Sequence, residues 1–446
     1  MTGIIRQYIV LSVKGFVGEY TVKSIESFLR KKLGFVDSDE SLIVPDRPLP
    51  TGWFLELAEG RVERRPPTQL VVPLELNHDA YERLRRIVDL DREKLLYVSL
   101  GADLPFDTAD HWCPGNSENR LFGNRAAAHR LIRAQYLAAQ GARGQGVNVV
   151  VIDRGISREQ IECLGGKYGG GWRYRKLLYP GVTRGGHGLM VARNILMIAG
   201  GVTFFDCPLL PEHIANIPIF LSLAQAAYKQ MICDIAMLRE TGKFPGPWIF
   251  VNAWAIYDRK TEHPAGSYSN CLNHPFNQQV SEAVDADIDV VFCAGNCGGF
   301  CPSQRCGAND RGPGNSIFGA NSHPKVITVG AVRSDTMWLG YSSQGPGQPN
   351  LCPDKPDFCA PSQFCETADA TTINDGTSAA CALATGTVAA LRSKWDASDI
   401  SPASLKNILK MTATDLHEGT DWEHRLGSGI LNAEAAYNKA QQRVGS

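Results

Sequence analysis

From residue 126 to the end, short β-branched runs alternate with helix-length segments. Residues 147–152, Val-Asn-Val-Val-Val-Ile, predict a strand buried on both faces. Residues 248–251 and 290–294 predict two more strands. Residues 189–198 predict a helix, and so do residues 221–238. The second of these spaces Leu221, Ala224, Ala227, Met231, Ile235 and Leu238 along one face and stops at Gly242. Residues 379–391 are apolar almost all the way round, which predicts a helix inside the core. Such alternation implies an α/β fold, a parallel sheet with helices on both faces.

The first hundred residues follow another pattern. Residues 8–13 predict a strand and residues 22–33 a helix. Residues 53–57 and 69–73 predict two strands, residues 79–90 a charged amphipathic helix, and residues 95–100 a last strand. The order β-α-β-β-α-β is that of a small ferredoxin-like α+β domain. An unrelated accessory or partner-binding module is the alternative. Residues 101–124 carry the loop formers Pro105, Asp107, Asp110, Pro114, Gly115 and Asn116 and predict a linker. The division is therefore 1–100, 101–124 and 125–446.

Candidate chemistry sits at the element ends. Ser378 follows Asp375-Gly376-Thr377 and opens the buried helix. Free N–H groups and the positive dipole end there suit a carbonyl oxygen that gains charge. The plain alternative is an N-cap serine. Asp153 ends the 147–152 strand, where open α/β sheets place ligand sites. His187 starts a helix behind Gly185 and Gly186, and Asn296 follows Ala294-Gly295 at the end of a strand.

In that order these residues resemble the subtilisin-like serine peptidases. Val151-Ile152-Asp153-Arg154-Gly155-Ile156 is similar to the family's aspartate motif, and His187-Gly188-Leu189-Met190-Val191-Ala192 to its histidine motif. Ala294-Gly295-Asn296 is similar to its oxyanion motif and Gly376-Thr377-Ser378 to its nucleophile motif. Tyr341-Ser342-Ser343-Gln344-Gly345-Pro346, Lys355-Pro356-Asp357 and Gly429-Ile430-Leu431-Asn432-Ala433 agree, and the likeness runs over residues 131–437. Three positions depart from the pattern. Met190 stands where a second histidine is usual, Ala382 where a proline is, and Arg154 where a serine or threonine is. Arg154 reads as a solvated arginine, with a substrate contact or a lock on Asp153 as alternatives.

The resemblance implies a serine endopeptidase acting on protein or peptide substrates. Ser378 would be the nucleophile, His187 the general base, Asp153 its orienting carboxylate and Asn296 the oxyanion donor. It also implies that substrate lies along Asn252, Trp254, Ala294 and Gly295. Trp254 would narrow the primary pocket or pack against the loop 297–322. Residues 1–100 would act as a prodomain or lasting regulator, inhibiting intramolecularly with residues 101–119 in the cleft. A permanently inhibited, non-catalytic binding module on the same fold is the rival, and an ester hydrolase a third reading.

Composition adds exclusions. The chain has 446 residues with 43% hydrophobic and 20% charged residues, as expected of a globular protein. A net charge of −1 gives no field for nucleic acid or an anionic membrane. Arg173, Arg175 and Lys176, interleaved with Trp172 and Tyr174, read as a solvated loop. No apolar stretch approaches the roughly 20 residues that span a bilayer. Residues 1–8 lack a signal-peptide pattern, which leads to the expectation of a cytoplasmic location. Thirteen cysteines include the clusters Cys293, Cys297, Cys301, Cys306 and Cys352, Cys359, Cys365. Disulfides, zinc and free thiols all stay open, but the spacing matches no zinc signature, so neither metal nor cofactor is expected.

Overall fold

In the computed structural model, the described residues of the N-terminal part are 5–12, 22–33, 42–43, 53–58, 60–61, 69–77, 80–81, 83–84, 96–99 and 106–108. Residues 123–445 are described apart from 175–178, 184–185, 211–216, 260–261, 263–266, 367–372 and 416–422. The N-terminal elements are β1 (Ile5–Ser12), α1 (Val22–Leu33), β2 (Leu42–Ile43), β3 (Trp53–Leu57), β4 (Gly60–Arg61), β5 (Gln69–Leu76), β6 (Leu96–Ser99) and β7 (Phe106–Thr108). Next come α2 (Arg125–Leu131), α3 (Ala134–Ala139), β8 (Asn148–Asp153), α4 (Arg158–Cys163), β9 (Lys167–Tyr174), α5 (His187–Ile198), β10 (Thr203–Pro208) and α6 (Ile217–Glu240). The chain continues through β11 (Trp248–Asn252), β12 (Trp254–Ile256), α7 (Pro275–Asp285), β13 (Ile288–Cys293), β14 (Ile327–Val332), β15 (Phe358–Pro361), β16 (Phe364–Cys365) and β17 (Ile373–Asn374). It ends with α8 (Gly376–Arg392), α9 (Pro402–Met411), α10 (Glu423–Leu426) and α11 (Ala433–Val444).

β8 lies at the middle of a sheet ordered β15-β14-β13-β11-β8-β10-β9-β3-β4. From β15 to β9 every neighbour is parallel. The strand is apolar throughout because both its faces are covered. Val149 and Val151 join a core with α5 and α8, while Val150 and Ile152 join a second core with α6 and α7. β9 and β10 lie to one side of β8 and β11 to the other. The chain reverses its direction of travel there, so a crevice opens beyond the carboxyl end of β8. Asp153 is the last residue of that strand.

α8 is buried along its whole length. Its last turn carries Arg392, whose Nε lies 2.5 Å from Asp289 Oδ2 and whose second nitrogen lies 2.8 Å from Oδ1. The two-pronged pair keeps a buried cation neutralised at the negative end of the helix. Among the described residues, no helix is long and apolar enough to cross a membrane.

The N-terminal sheet is antiparallel and ordered β2-β5-β1-β6. Its second strand is the short Leu42–Ile43, not the expected 53–57. β3 instead pairs antiparallel with β9, and β3–β4 forms a hairpin on the edge of the main sheet. Residues 80–81 and 83–84 are helical, within the amphipathic helix expected at 79–90.

β9 also corrects the solvated-loop reading of Trp172 and Tyr174: both are buried, with Trp172 0% exposed. Arg175 and Lys176 lie outside the described residues. Gly170 and Gly171 in this strand let neighbouring strands close in. A Cβ on Gly170 would lie 2.2 Å from the Glu56 carbonyl, and one on Gly171 2.2 Å from the Asp206 carbonyl. The linker is not wholly irregular either. β7 pairs antiparallel with β12, setting Thr108 opposite Trp254 and Phe106 opposite Ile256.

Candidate active site

Asp153 and His187 meet beyond the end of β8. His187 Nδ1 lies 2.8 Å from Asp153 Oδ2 and 3.0 Å from Oδ1. The contact requires α5 to start against the strand end, and Gly188 permits it. A Cβ there would stand 2.4 Å from the Gly155 carbonyl. Asp153 Oδ1 also accepts the Arg154 backbone N–H at 2.7 Å. Arg154 itself is half-buried.

Ser378 stands in the first turn of α8, where N–H groups have no acceptor within the helix. It is no N-cap. Asp375 holds that position, and the Ser378 hydroxyl donates to the Ala253 carbonyl at 3.0 Å. α5 and α8 pack along each other, and Asn194 Nδ2, two turns into α5, donates to Asn374 Oδ1 at 2.9 Å just before α8. Asn296 reaches the same helix start. Its Oδ1 accepts both the backbone N–H and the hydroxyl of Thr377, each at 3.0 Å. The Thr377 hydroxyl in turn accepts the Gly295 N–H at 3.1 Å. Behind this segment, Ser343 donates its N–H to the Gly295 carbonyl, and its hydroxyl accepts the Cys297 N–H at 3.0 Å. The structure thus joins Asp153 to His187 and Asn296 to Thr377, next to Ser378.

The subtilase family model matches residues 144–429, more than half of the chain and the whole stretch that carries this geometry. The chain belongs to the subtilase family. Subtilisin DY of Bacillus licheniformis is 26% identical over 318 residues, covering 69% of this chain and 96% of the relative. Mycosin-1 of Mycobacterium tuberculosis is 29% identical over 162 residues, 33% of this chain and 35% of the relative. Among solved structures, fervidolysin from Fervidobacterium pennivorans superposes with a TM-score of 0.52 at 16% identity, covering 98% of this chain. The chain spans 61% of fervidolysin's length. The fold is shared with that enzyme, and the family is one of serine peptidases.

Two of the four expected substrate residues of this subtilase point their side chains elsewhere. Asn252 is 0% exposed, and its Oδ1 accepts the Tyr228 hydroxyl of α6 at 2.8 Å. Trp254 is also 0% exposed and is ringed by Phe220, Phe276 and Phe292. It therefore fills the core instead of narrowing a pocket. In a strand, alternate side chains face opposite sides. The sequence names these residues but not the face that each presents. Ala294 and Gly295 are buried beside Asn296, and a Cβ on Gly295 would meet Ala255 Cβ at 3.2 Å.

Asp206 on β10 is a residue that sequence reasoning missed, because one aspartate inside an apolar strand carries no motif. It is 0% exposed, and its Oδ2 accepts the Gly181 N–H at 2.8 Å and the Ile156 N–H at 3.2 Å. It clamps the segment after Asp153 to the segment before His187. Burial pushes its carboxyl up to about 7, the two N–H bonds oppose this, and Asp153 nearby pushes the same way as burial. Tyr168, packed beside it, is itself held protonated by burial and by Asp206. An unfolded aspartate titrates near 3.9. Between about pH 4 and pH 7 the folded subtilase then holds a proton that the unfolded chain has lost, so stability falls as pH rises through that window. Asp206→Asn keeps an acceptor for both N–H groups and removes the titration. Its melting temperature should vary less from pH 5 to pH 8. Parallel melting curves for wild type and variant would refute this.

The first cysteine cluster of the subtilase divides. Cys297 and Cys306 form a disulfide, Cys301 is also disulfide-bonded, and Cys293 remains a buried thiol. Burial pushes the Cys293 thiol up to about 12, which keeps it unreactive. Cys352, Cys359 and Cys365 are free. Among the described residues no group of three His, Cys, Asp or Glu side chains could hold a metal ion.

Proposed function

We propose that this subtilase is an endopeptidase in which Ser378 attacks the scissile carbonyl. His187 takes the serine proton and later delivers it to the leaving amine. Asp153 fixes the imidazole tautomer and stabilises the imidazolium. Asn296 and the Ser378 N–H stabilise the oxyanion. The observation that carries this reading is the Asp153 carboxylate seated on His187 Nδ1 with both oxygens within 3.0 Å. A buried carboxylate on one imidazole nitrogen leaves the other nitrogen as the base. The Ser378 hydroxyl would leave the Ala253 carbonyl as it engages His187. The test is a fluorophosphonate probe with peptide mapping. Adduct on Ser378 together with cleavage of a peptide library supports the reading, and the absence of both would reject it.

A second reading, self-inhibition, is favoured by one backbone observation. β7 lies antiparallel on β12, the segment adjoining the Ala253 carbonyl that holds Ser378. Extended peptides bind sheet edges in this manner. Asp153, His187, Ser378 and Asn296 are all buried. The linker would therefore compete with substrate as an intramolecular ligand, at an effective concentration on the order of millimolar. Replacing residues 101–119 by a Gly-Ser chain of equal length should raise peptide turnover about tenfold or more. Unchanged turnover would remove the inhibition reading but leave the peptidase reading in place. The compartment is proposed on chemistry alone: the Cys297–Cys306 bond favours an oxidising setting over the cytoplasm.

A further inference from the structure

The Asn296 amide is held at both ends. The Thr377 backbone N–H can only donate, so the atom facing it must be the amide oxygen. The Thr377 hydroxyl reinforces that contact. The amide nitrogen is then aimed at one side, where it donates to the Tyr257 hydroxyl at 3.1 Å. Rotating the amide by half a turn would set NH2 against the donor-only N–H of Thr377 and lose that hydrogen bond. Tyr257 follows β12 directly and is 1% exposed.

The loop that follows Asn296 braces this tyrosine. The Cys297–Cys306 disulfide closes the loop. Gly307 donates its N–H to the Tyr257 carbonyl at 2.8 Å, and Ser303 donates its N–H to the Asn296 carbonyl at 2.9 Å. The Arg305 guanidinium stands 5.6 Å from the centre of the Tyr257 ring, within reach of a cation–π contact. One bridged loop therefore grips both partners of the Asn296–Tyr257 bond.

We propose that Tyr257 is a positioning residue that fixes the Asn296 NH2 where the oxyanion forms. This rests on the peptidase reading above. A donor contributes to the transition state only if it is aimed before the charge appears, because reorienting it during the reaction costs part of what it supplies. An amide held only through its oxygen swings about that anchor. A second hydrogen bond on its nitrogen removes that freedom. One of the two N–H bonds engages Tyr257, and the other is left for the substrate oxygen.

The test is Tyr257→Phe in the full chain. It keeps the ring, and with it the packing and the Arg305 contact, so the melting temperature should move by no more than a few degrees. If the proposal holds, kcat falls about tenfold with KM unchanged. In an Asn296→Ala background the same change costs less than twofold, because the group that it positions is gone. An unchanged kcat, an additive double variant or a change confined to KM overturns the proposal. A rise in kcat also overturns it, by making the hydroxyl a brake on the donor. A second readout does not need turnover. In protein labelled with 15N at asparagine, the Asn296 NH2 signal is identified by its loss in Asn296→Ala. Its hydrogen exchange should be at least tenfold faster in Tyr257→Phe, and equal exchange rates would sink the proposal. Wild type that neither cleaves peptides nor accepts a fluorophosphonate would reject the peptidase reading, while the exchange experiment still decides on Tyr257.

Discussion

Replacing Ser378 with alanine should remove peptide hydrolysis and fluorophosphonate labelling while the fold survives. The expected loss in kcat is on the order of 10⁶, the scale on which a triad depends on its nucleophile. The fold should survive because the hydroxyl makes one neutral hydrogen bond, to the Ala253 carbonyl. Such a bond contributes about 0.5–1.5 kcal/mol. The alanine also suits the first turn of a helix as apolar as α8. Circular dichroism and a melting curve check the fold, and kcat with intact-mass labelling checks the chemistry. Retained turnover at Ser378→Ala would mean that the nucleophile lies elsewhere.

Asn296→Ala should lower kcat by about 10²–10³ and leave KM nearly unchanged, the measured scale for one oxyanion donor in a subtilisin. The structure adds a complication that pure loss of a donor would not have. The Asn296 side chain also satisfies the Thr377 N–H and hydroxyl and the Tyr257 hydroxyl. Removing it leaves the buried Thr377 N–H without its acceptor, at a cost of about 1–3 kcal/mol unless water enters. A drop in melting temperature should therefore accompany the drop in kcat. Steady-state kinetics and calorimetry on one preparation separate the two. A variant that loses stability but keeps kcat would show Asn296 to be a structural residue only.

The central architecture was legible because its elements are long and strongly patterned. The helix expected over 221–238 lies within Ile217–Glu240, and the strand expected over 147–152 is Asn148–Asp153. Asp153, His187, Asn296 and Ser378 were legible for another reason. Each sits at an element boundary, where packing alone gives no cause for a polar side chain. What escaped was decided by neighbours distant in sequence. Trp172 and Tyr174 looked like a loop because their strand pairs with the distant β3, and Gly170 and Gly171 beside them admit the Glu56 and Asp206 carbonyls. Trp254 looked like a pocket residue because its face is set by Phe220, Phe276 and Phe292. Leu42–Ile43 is too short to leave a periodic signal. Tyr257 belongs to no motif, and only the Cys297–Cys306 loop gives it a role.

The β3–β4 hairpin bears on what any cut in the linker could achieve. Five residues of β3 are in register with β9, from Trp53 opposite Tyr174 to Leu57 opposite Gly170, and Glu56 pairs with Arg173 at 2.8 Å. Leu55 and Leu57 join the same core as Trp172 and Tyr174. Hydrolysing one peptide bond after residue 108 therefore severs the chain without parting the pieces. The outcome is a two-part particle whose smaller part is stitched along the rim of the larger. Liberation would require peeling a strand from the sheet and wetting Leu55 and Leu57. Peeling must break the β3–β9 pairing and expose Leu55 and Leu57 together, so release of the smaller part would wait on that step and not on the cut alone.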